Sequence, residues 1–246
     1  METGILSVVA TPIGNMEDIT LRAIRTLGEV DYVLAEDTRV TGKLLKKHDI
    51  STVLKRYDAH ASEKVHQQVL DDLAEGKHIA LVSDAGTPGV SDPGVLIVRD
   101  ARAAGARIEA IPGPSAVTAA FSIAGLIGNQ FSFLGFVPHK KGRQTFFKAL
   151  EDYDHPVIFF ESTHRIMKTL ESLSIQTENS PIDWTITIAR ELTKMHEEVV
   201  TGSSSEVLEY FESNTDHQRG EFVVIVSKGG PGISSRKGGD SDINSI

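Results

Sequence analysis

The chain has 246 residues and 40% hydrophobic content, enough for one large domain or two small domains with a substantial core. It has no cysteine, which excludes disulfides, thiolate chemistry and cysteine-ligated metals. Its formal net charge of −9 excludes an overall basic surface as the basis of nucleic-acid binding, so any such binding needs a local basic patch.

The first residues carry no sign of export. The stretch METGILSVVATPIGN lacks the basic leader of a signal peptide, because Glu2 occupies that place and Pro12 interrupts the apolar run. No segment approaches the roughly 20 apolar residues that span a bilayer. The sequence therefore predicts a soluble cytoplasmic protein.

The first 115 residues alternate between apolar runs and helical patterns. Strands are predicted over 5–14, 32–38, 52–59, 78–84 and 107–115. Helices are predicted over 18–30, 41–48, 62–77 and 95–106. In the first helix, Asp18 is the expected N-cap, and Leu21, Ile24 and Leu27 form one apolar stripe. Repeated β-α units predict a mostly parallel five-stranded sheet.

The second half has more mixed spacing. Strands are predicted over 131–138, 156–162, 183–192 and 221–229. Helices are predicted over 115–126, 143–153, 164–175 and 204–213. This pattern predicts an N-terminal α/β domain over 1–114 and a C-terminal α/β domain with a mixed sheet over 115–229. The Gly/Ser-rich residues 230–246 are predicted to be a disordered tail.

The stretch V-S-D-A-G-T-P-G-V-S-D-P-G (82–94) follows a predicted strand. It contains no lysine, so it is not a P-loop, and G-x-G-x-x-G is absent from the chain. Gly86 and Gly89 permit positive φ and close backbone approach, which favours a ligand at 84–89. Asp92 and Pro93 are interpreted as the N-cap and first residue of the next helix. Similar small-residue turns at 11–14 and 112–116 suggest one shared pocket.

Eight motifs in order carry a family resemblance. They are V-A-T-P-I-G-N (9–15), A-E-D-T-R (35–39), S-D-A-G-T-P-G-V-S-D-P-G (83–94), P-G-P-S-A (112–116), G-F-V-P (135–138), E-S-T-H-R (161–165), A-R-E-L-T-K (189–194) and G-E-F-V-V-I-V (220–226). Together they resemble the tetrapyrrole-methylase-like, class III S-adenosylmethionine (SAM) methyltransferases. The resemblance covers residues 5–228. It is strongest to the branch that methylates the 2′-hydroxyl of a cytidine in the decoding region of 16S rRNA.

The resemblance implies two α/β domains with SAM in the cleft between them, and a homodimer. The second domain would contribute through the A-R-E-L-T segment. Asp84 is added to the implied positions because a carboxylate there could bind hydroxyls or a cation. The predicted cofactor-binding residues are Pro12, Asp84, Ala85, Gly86, Thr87, Val90, Ser115, Ala116 and Leu192.

Methyl transfer to a ribose hydroxyl needs a destination for the proton and no metal. The candidate catalytic cluster is Glu36, Asp37 and Arg39, after the second strand. On this hypothesis Glu36 or Asp37 positions or deprotonates the hydroxyl, and Arg39 holds a phosphate. The alternative is structural: Asp37 or Thr38 caps the next helix, and Arg39 pairs with Glu36.

Other polar residues are candidates for catalysis, helix capping or RNA contact. Lys194 either orients the nucleophile or contacts RNA, or it belongs to an ordinary salt-bridged surface. His164 is a minor candidate for the general base, and Ser162 is a candidate helix cap. Two basic groups are predicted to contact RNA, with solvated surface as the alternative. They are Lys43, Lys46 and Lys47 on one short helix, and Lys140, Lys141 and Arg143 after G-F-V-P.

The predicted partner is 16S rRNA within the small ribosomal subunit. One alternative is C-methylation of a tetrapyrrole (a precorrin or uroporphyrinogen), whose enzymes typically carry a G-G-D-P type loop in place of S-D-A-G-T-P-G. The other is a non-catalytic RNA-binding or ribosome-binding protein, which a failure to bind SAM would favour.

Overall fold

A computed structural model describes residues 3–59, 61–92, 94–178 and 180–229. The chain forms two compact units. The first contains the residues up to Ala119 together with Leu192–Met195, and the second contains Ala120–Glu191 and the residues from His196 onward. The segment 192–195, predicted to act from the second domain, therefore packs with the first unit. The predicted tail, 230–246, lies outside the described residues.

The first unit contains a five-stranded parallel sheet, as predicted. Its strands are β1 Ile5–Val9, β2 Tyr32–Ala35, β3 Leu54–Arg56, β4 His78–Val82 and β5 Arg107–Ile111. Their order is β3-β2-β4-β1-β5, and every neighbouring pair is parallel. Its helices are α1 Leu21–Glu29, α2 Thr38–Lys47, α3 Glu63–Ala74 and α4 Val95–Ala103, and α5 Ala116–Ile123 spans the boundary between the two units.

Apolar clusters cover both faces of this sheet. Val33 packs in a cluster with Leu27 of α1, whereas the next residue, Leu34, packs with Leu73 of α3 and Ile97 of α4. Successive residues of a strand point to opposite faces, so the two clusters lie on opposite sides. A parallel sheet buried on both faces needs continuous apolar strands, which the sequence supplies.

Helix α1 begins later than predicted. Its N-cap is Thr20, whose hydroxyl accepts a hydrogen bond from the Ala23 amide at 3.0 Å. Asp18 instead ends a short 3₁₀ turn, Met16–Asp18. The buried side of α1 includes Ala23 and Leu27, and Leu21 is 86% exposed. The predictions that Asp18 caps α1 and that Leu21 lies on its buried stripe were therefore wrong. The 3₁₀ turn occupies residues 16–18, so the helix starts after it, with Thr20 as its cap.

A buried carboxylate joins α3 to the sheet. Asp72 is 4% exposed in its side chain and accepts hydrogen bonds from Lys77 Nζ (2.5 Å) and Tyr32 Oη (2.7 Å). Burial alone would raise the pKa of Asp72, but the hydrogen bonds from Lys77, Tyr32 and Gln68 outweigh it and lower the pKa to about 2. The ionised form is therefore the one that stabilises the fold.

Asp72→Asn is expected to lower the free energy of unfolding by about 2 kcal/mol near neutral pH, the equivalent of the pKa difference between unfolded and folded chains. Because the folded pKa is depressed, this contribution is present above the unfolded value of 3.8 and is lost as the pH falls through about 2. Urea unfolding of both proteins across this range measures it. Asp71→Asn, an exposed carboxylate on the same helix, is the control. A difference between wild type and Asp72→Asn that does not shrink in acid would contradict the prediction.

The second unit contains a mixed five-stranded sheet, as predicted. Its strands are β6 Ser132–Phe136, β7 Val157–Ser162, β8 Trp184–Arg190, β9 Glu198–Gly202 and β10 Glu221–Lys228. Their order is β6-β7-β10-β8-β9; β6 and β7 are parallel, and the other pairs are antiparallel. The helices are α6 Arg143–Lys148, α7 Ile166–Glu178 and α8 Ser204–Ser213. The sequence reading missed β9, a short edge strand that pairs only with β8.

Candidate functional site

The parallel sheet brings the loops after its strands to one edge. Because all five strands run in the same direction, their carboxyl ends meet there, the usual position for ligands in open α/β sheets. The loop after β4 lies between those after β2 and β1, and the loop after β5 lies beyond β1. The predicted catalytic and cofactor-binding residues before Leu192 all follow these strands.

The loop after β4 is joined to the turn after β1. Thr11 and Gly86 form a two-way backbone bridge, with N···O distances of 2.9 and 3.0 Å. The Thr11 hydroxyl also donates to the Ser83 carbonyl at 3.2 Å. Gly86 has a φ of +76°, and a Cβ there would lie 3.4 Å from Ile13 Cγ2. The glycine is thus required by the backbone conformation, as the sequence predicted.

The same loop is also joined to the turn after β5. The Thr87 hydroxyl donates to the Pro114 carbonyl at 3.2 Å, and the Ala10 amide donates to the Ile111 carbonyl at 3.1 Å. The three small-residue turns are therefore held side by side by hydrogen bonds. Asp84, Ala85 and Val90 are exposed, whereas Pro12, Thr87, Ser115 and Ala116 are half-buried.

Asp92 closes the loop instead of capping a helix. Its two carboxylate oxygens accept hydrogen bonds from the Gly89 amide (2.7 Å) and the Gly94 amide (2.9 Å). Helix α4 begins at Val95, with Gly94 in the N-cap position. The prediction of Asp92 as N-cap was wrong because its side chain is engaged within the loop, and Pro93 lies outside the described residues.

The charged residues after β2, Glu36, Asp37 and Arg39, have different surroundings. Asp37 is the N-cap of α2, and it accepts hydrogen bonds from the Arg39 amide (2.8 Å) and the Arg39 guanidinium (2.7 Å). Arg39 therefore pairs with Asp37 and not with Glu36. The Arg39 hydrogen bonds hold the pKa of Asp37 well below its usual range, which makes Asp37 a weak proton acceptor. The Asp37 amide in turn donates to Asp84 Oδ1 at 2.9 Å.

The pKa of Glu36 shifts in the opposite direction to the pKa of Asp37. Burial raises its pKa, and the negative charges of Asp84, Asp92 and Asp58 raise it further. A carboxylate with a raised pKa accepts a proton more readily, as a general base near neutral pH requires. The same negative charges favour a cationic ligand beside the Glu36 carboxylate. Asp58 was not among the predicted site residues. Its position just after β3, at the same edge of the sheet as the other loops, could have indicated it.

The segment Leu192–Met195 packs against the turn after β1. The Thr193 hydroxyl accepts a hydrogen bond from the Asn15 amide at 3.0 Å, and Thr193 has a left-handed φ of 65°. A Cβ on Gly14 would lie 2.6 Å from Lys194 Cγ and 3.0 Å from the Leu192 carbonyl oxygen. Gly14 therefore permits this close approach, and it places Leu192 and Lys194 next to the predicted Pro12 turn. The sequence had indicated Gly14 as part of a motif and of the turn 11–14, but not its contact with the segment 192–194.

The predicted RNA contacts differ in exposure. Lys43, Lys46 and Lys47 are exposed on α2, and Lys140 and Lys141 are exposed before α6. Arg143 does not join them, since its side chain is only 9% exposed.

Arg143 belongs to a buried network in the second unit. It donates to the Thr169 hydroxyl at 2.9 Å and lies 3.6 Å from Glu161 Oε2. Arg165 pairs with the other Glu161 oxygen at 3.0 Å, and its Nε donates to the Ser162 hydroxyl at 3.2 Å. The prediction of Arg143 as an RNA contact was wrong because its charge neutralises a buried carboxylate. Ser162 likewise does not cap α7, which begins at Ile166.

The fold and the sequence place the chain in a known class. A model of the tetrapyrrole (corrin/porphyrin) methylases matches residues 6–208, and the chain belongs to this family. Two similar solved structures are a cobalt precorrin-4 methyltransferase (TM-score 0.68, 18% identity, 91% of this chain and 94% of that one) and a diphthine synthase (TM-score 0.69, 17% identity, 91% and 90%). At these identities they show the shared fold alone.

Two relatives are much more similar in sequence. A Thermotoga maritima protein named ribosomal RNA small subunit methyltransferase I is 42% identical over 225 residues, covering 91% of this chain and 98% of the relative. The Escherichia coli O157:H7 protein of the same name is 42% identical, covering 91% of this chain and 77% of the relative.

Two further observations concern metal ligands and membrane spans in the described residues. They contain no group of three or more histidine, aspartate or glutamate side chains arranged to hold a metal ion. Within the same ranges, every helix is too short or too polar to cross a bilayer.

Proposed function

We propose that this protein transfers a methyl group from SAM to the 2′-hydroxyl of a cytidine in the decoding region of 16S rRNA. The observation that carries the proposal is the 42% identity over nearly full length to the Thermotoga maritima protein named ribosomal RNA small subunit methyltransferase I. The eight motifs that resemble the RNA-methylating branch support the finer assignment. The substrate is rRNA within the small ribosomal subunit, and the protein acts in the cytoplasm as a homodimer.

The residues at the sheet edge fit SAM. SAM is cationic at its sulfonium and carries hydroxyls and an amino-acid end. The loop 83–94 offers backbone donors and acceptors without lysine or arginine, and Gly86, at a φ of +76°, gives it a backbone conformation that a side chain would strain. The negative charges of Glu36, Asp84 and Asp92 favour a cation there. When bound, SAM supplies an electrophilic methyl group.

The chain's own residues supply the other requirements of the reaction. Glu36 accepts the proton of the ribose hydroxyl at its carboxylate, since its raised pKa suits a general base. Asp37 and Arg39 hold the start of α2, and through the Asp37 amide they orient Asp84. Arg39 is exposed beside this pair and attracts a phosphate. Lys194 orients the nucleophile from the segment next to Gly14.

Methyl incorporation from labelled SAM tests the proposal. The acceptors are small ribosomal subunits from cells that lack the protein and, separately, a tetrapyrrole precursor. We expect label on a 2′-oxygen of 16S rRNA, and loss of the label with Gly86→Trp because the indole fills the strained glycine position. Label on the tetrapyrrole and none on RNA would support C-methylation, the alternative that the family name suggests. No SAM binding at all would support a non-catalytic RNA-binding protein.

A further inference from the structure

Three phenylalanine rings cluster where β6 and β7 run side by side. The ring centroids of Phe133 and Phe160 are 4.9 Å apart and those of Phe136 and Phe160 are 5.3 Å apart, both edge to face. Phe159, the neighbour of Phe160, is fully buried in the core, so Phe160 faces the other side of the sheet. Phe136 is 53% exposed. The cluster thus ends in a ring that is supported from one side and open to solvent.

A β-bulge produces this arrangement. Phe133 pairs with Ile158 and Phe136 pairs with Phe160, so β6 advances three residues while β7 advances two. The intervening Gly135 has a φ of +67°. Regular alternation would place residues 133 and 136 on opposite faces, whereas the extra residue brings both rings against Phe160. The bulge therefore directs the Phe136 side chain to the face of the sheet that carries Phe160.

Protection of the sheet edge does not account for Phe136. Strand β6 is an edge strand, and a bulge does interrupt the pairing surface that such an edge offers to other chains. That protection needs no aromatic side chain at the next position. An exposed phenylalanine on an edge opposes it, because exposed apolar surface promotes association. Protection of the edge therefore leaves the exposed ring of Phe136 available for another role.

Two exposed lysines follow Phe136 closely in the sequence. Lys140 and Lys141 lie four and five residues after Phe136, and both are exposed. Val137 lies between Phe136 and the two lysines in the sequence. Its carbonyl accepts a hydrogen bond from Arg165 at 2.7 Å, and Arg165 is paired with the buried Glu161. The backbone that joins the ring to the lysines is thus fixed to the core. An aromatic ring close in sequence to exposed cations is a combination with which proteins bind single-stranded nucleic acid.

We propose that Phe136 is a stacking platform for an unpaired nucleobase of the RNA substrate, with Lys140 and Lys141 attracting the adjacent phosphates. The proposal rests on the proposed RNA substrate. It adds to that function a base-contacting residue outside the strand-end site. A purely electrostatic surface would bind the RNA backbone with no dependence on bases.

Binding of the full chain to a fluorescent single-stranded oligoribonucleotide tests the platform. Phe136→Leu keeps an apolar side chain and removes the ring, so we expect about tenfold weaker binding. Phe136→Trp should retain or improve binding, and its fluorescence should change on addition of RNA beyond the change seen in wild type, whose Trp184 is buried. Ile127→Ala, a change of an exposed apolar residue in the same unit, is the matched control. With an abasic oligonucleotide, wild type and Phe136→Leu should bind equally.

The outcomes distinguish this proposal from the proposed function. If wild type binds RNA or methylates subunits and Phe136→Leu binds RNA as tightly, only the stacking role is overturned. If wild type neither binds the oligonucleotide or small subunits nor methylates them, the proposed function fails with it. A changed sedimentation coefficient for Phe136→Leu, without change in RNA binding, would assign this face to a contact between copies or with a protein partner and overturn the proposal.

Discussion

Glu36→Gln is expected to lower kcat for methyl transfer by roughly 10²- to 10⁴-fold, the usual contribution of a general base. Among the polar groups after β2, Glu36 has a raised pKa, whereas Asp37 is engaged with Arg39 and has a lowered one. The amide of glutamine keeps the size of the side chain but cannot accept the proton. Single-turnover methylation and SAM binding, measured on the same preparation, separate loss of chemistry from loss of the site.

Glu29→Gln, the same change at an exposed position of α1, is the control for Glu36→Gln. The pH profile gives an independent check. Asp58→Asn removes one of the charges that raise the pKa of Glu36, so the acidic limb of kcat/KM should move to lower pH. Wild-type turnover in Glu36→Gln would exclude Glu36 as the base, and an unmoved limb in Asp58→Asn would show that the Asp58 charge does not control the titration.

Gly14→Ala is expected to reduce methyl transfer by about 100-fold, the scale of effect that a displacement of about 1 Å produces at a catalytic site. The added Cβ would lie 2.6 Å from Lys194 Cγ, 2.8 Å from Thr193 Oγ1 and 3.0 Å from the Leu192 carbonyl oxygen. The Leu192 oxygen is a backbone atom, and the other two atoms are bonded to the Cβ of their residues, so the segment 192–194 must move. Steady-state kinetics and the Tm of the variant measure the effect.

Gly28→Ala is the matched control for Gly14→Ala. Gly28 lies in α1, and a Cβ there would meet nothing within 4 Å. Alanine inside a helix is more stable than glycine by roughly 0.5–1 kcal/mol, so this variant should be fully active and slightly more stable. Full activity in Gly14→Ala would show that the segment 192–194 can shift without consequence, and Lys194 would then lose its proposed role.

Local pattern was sufficient for the architecture. The β-α repeats predicted the parallel sheet, and the more mixed spacing of the predicted elements in the second half predicted a mixed one. The glycine density of 84–89 predicted the positive φ values found at Gly86 and Gly89. These features depend on periodicity and backbone sterics, which neighbouring residues encode. The F-L-G-F sequence of β6 likewise contained a signal for the bulge, a glycine inside a strand, that the sequence reading did not use.

Side-chain partners depended on the tertiary structure. A charged residue looks the same in sequence whether it is solvated or buried. Arg143 was therefore grouped with Lys140 and Lys141, although it neutralises Glu161, 18 residues away and within 3.6 Å in the fold. In the same way, only the folded chain brings the 192–194 segment to Gly14.

The sequence by itself determined the fold class, the edge of the sheet where the site lies and the family resemblance, because those follow from local periodicity and motif order. Only the tertiary structure distinguished Glu36, whose pKa is raised, from Asp37, whose pKa is lowered. The pKa of Glu36 depends on burial and on charges from three other loop positions, Asp58, Asp84 and Asp92. Long-range packing sets those distances, and no local pattern encodes them.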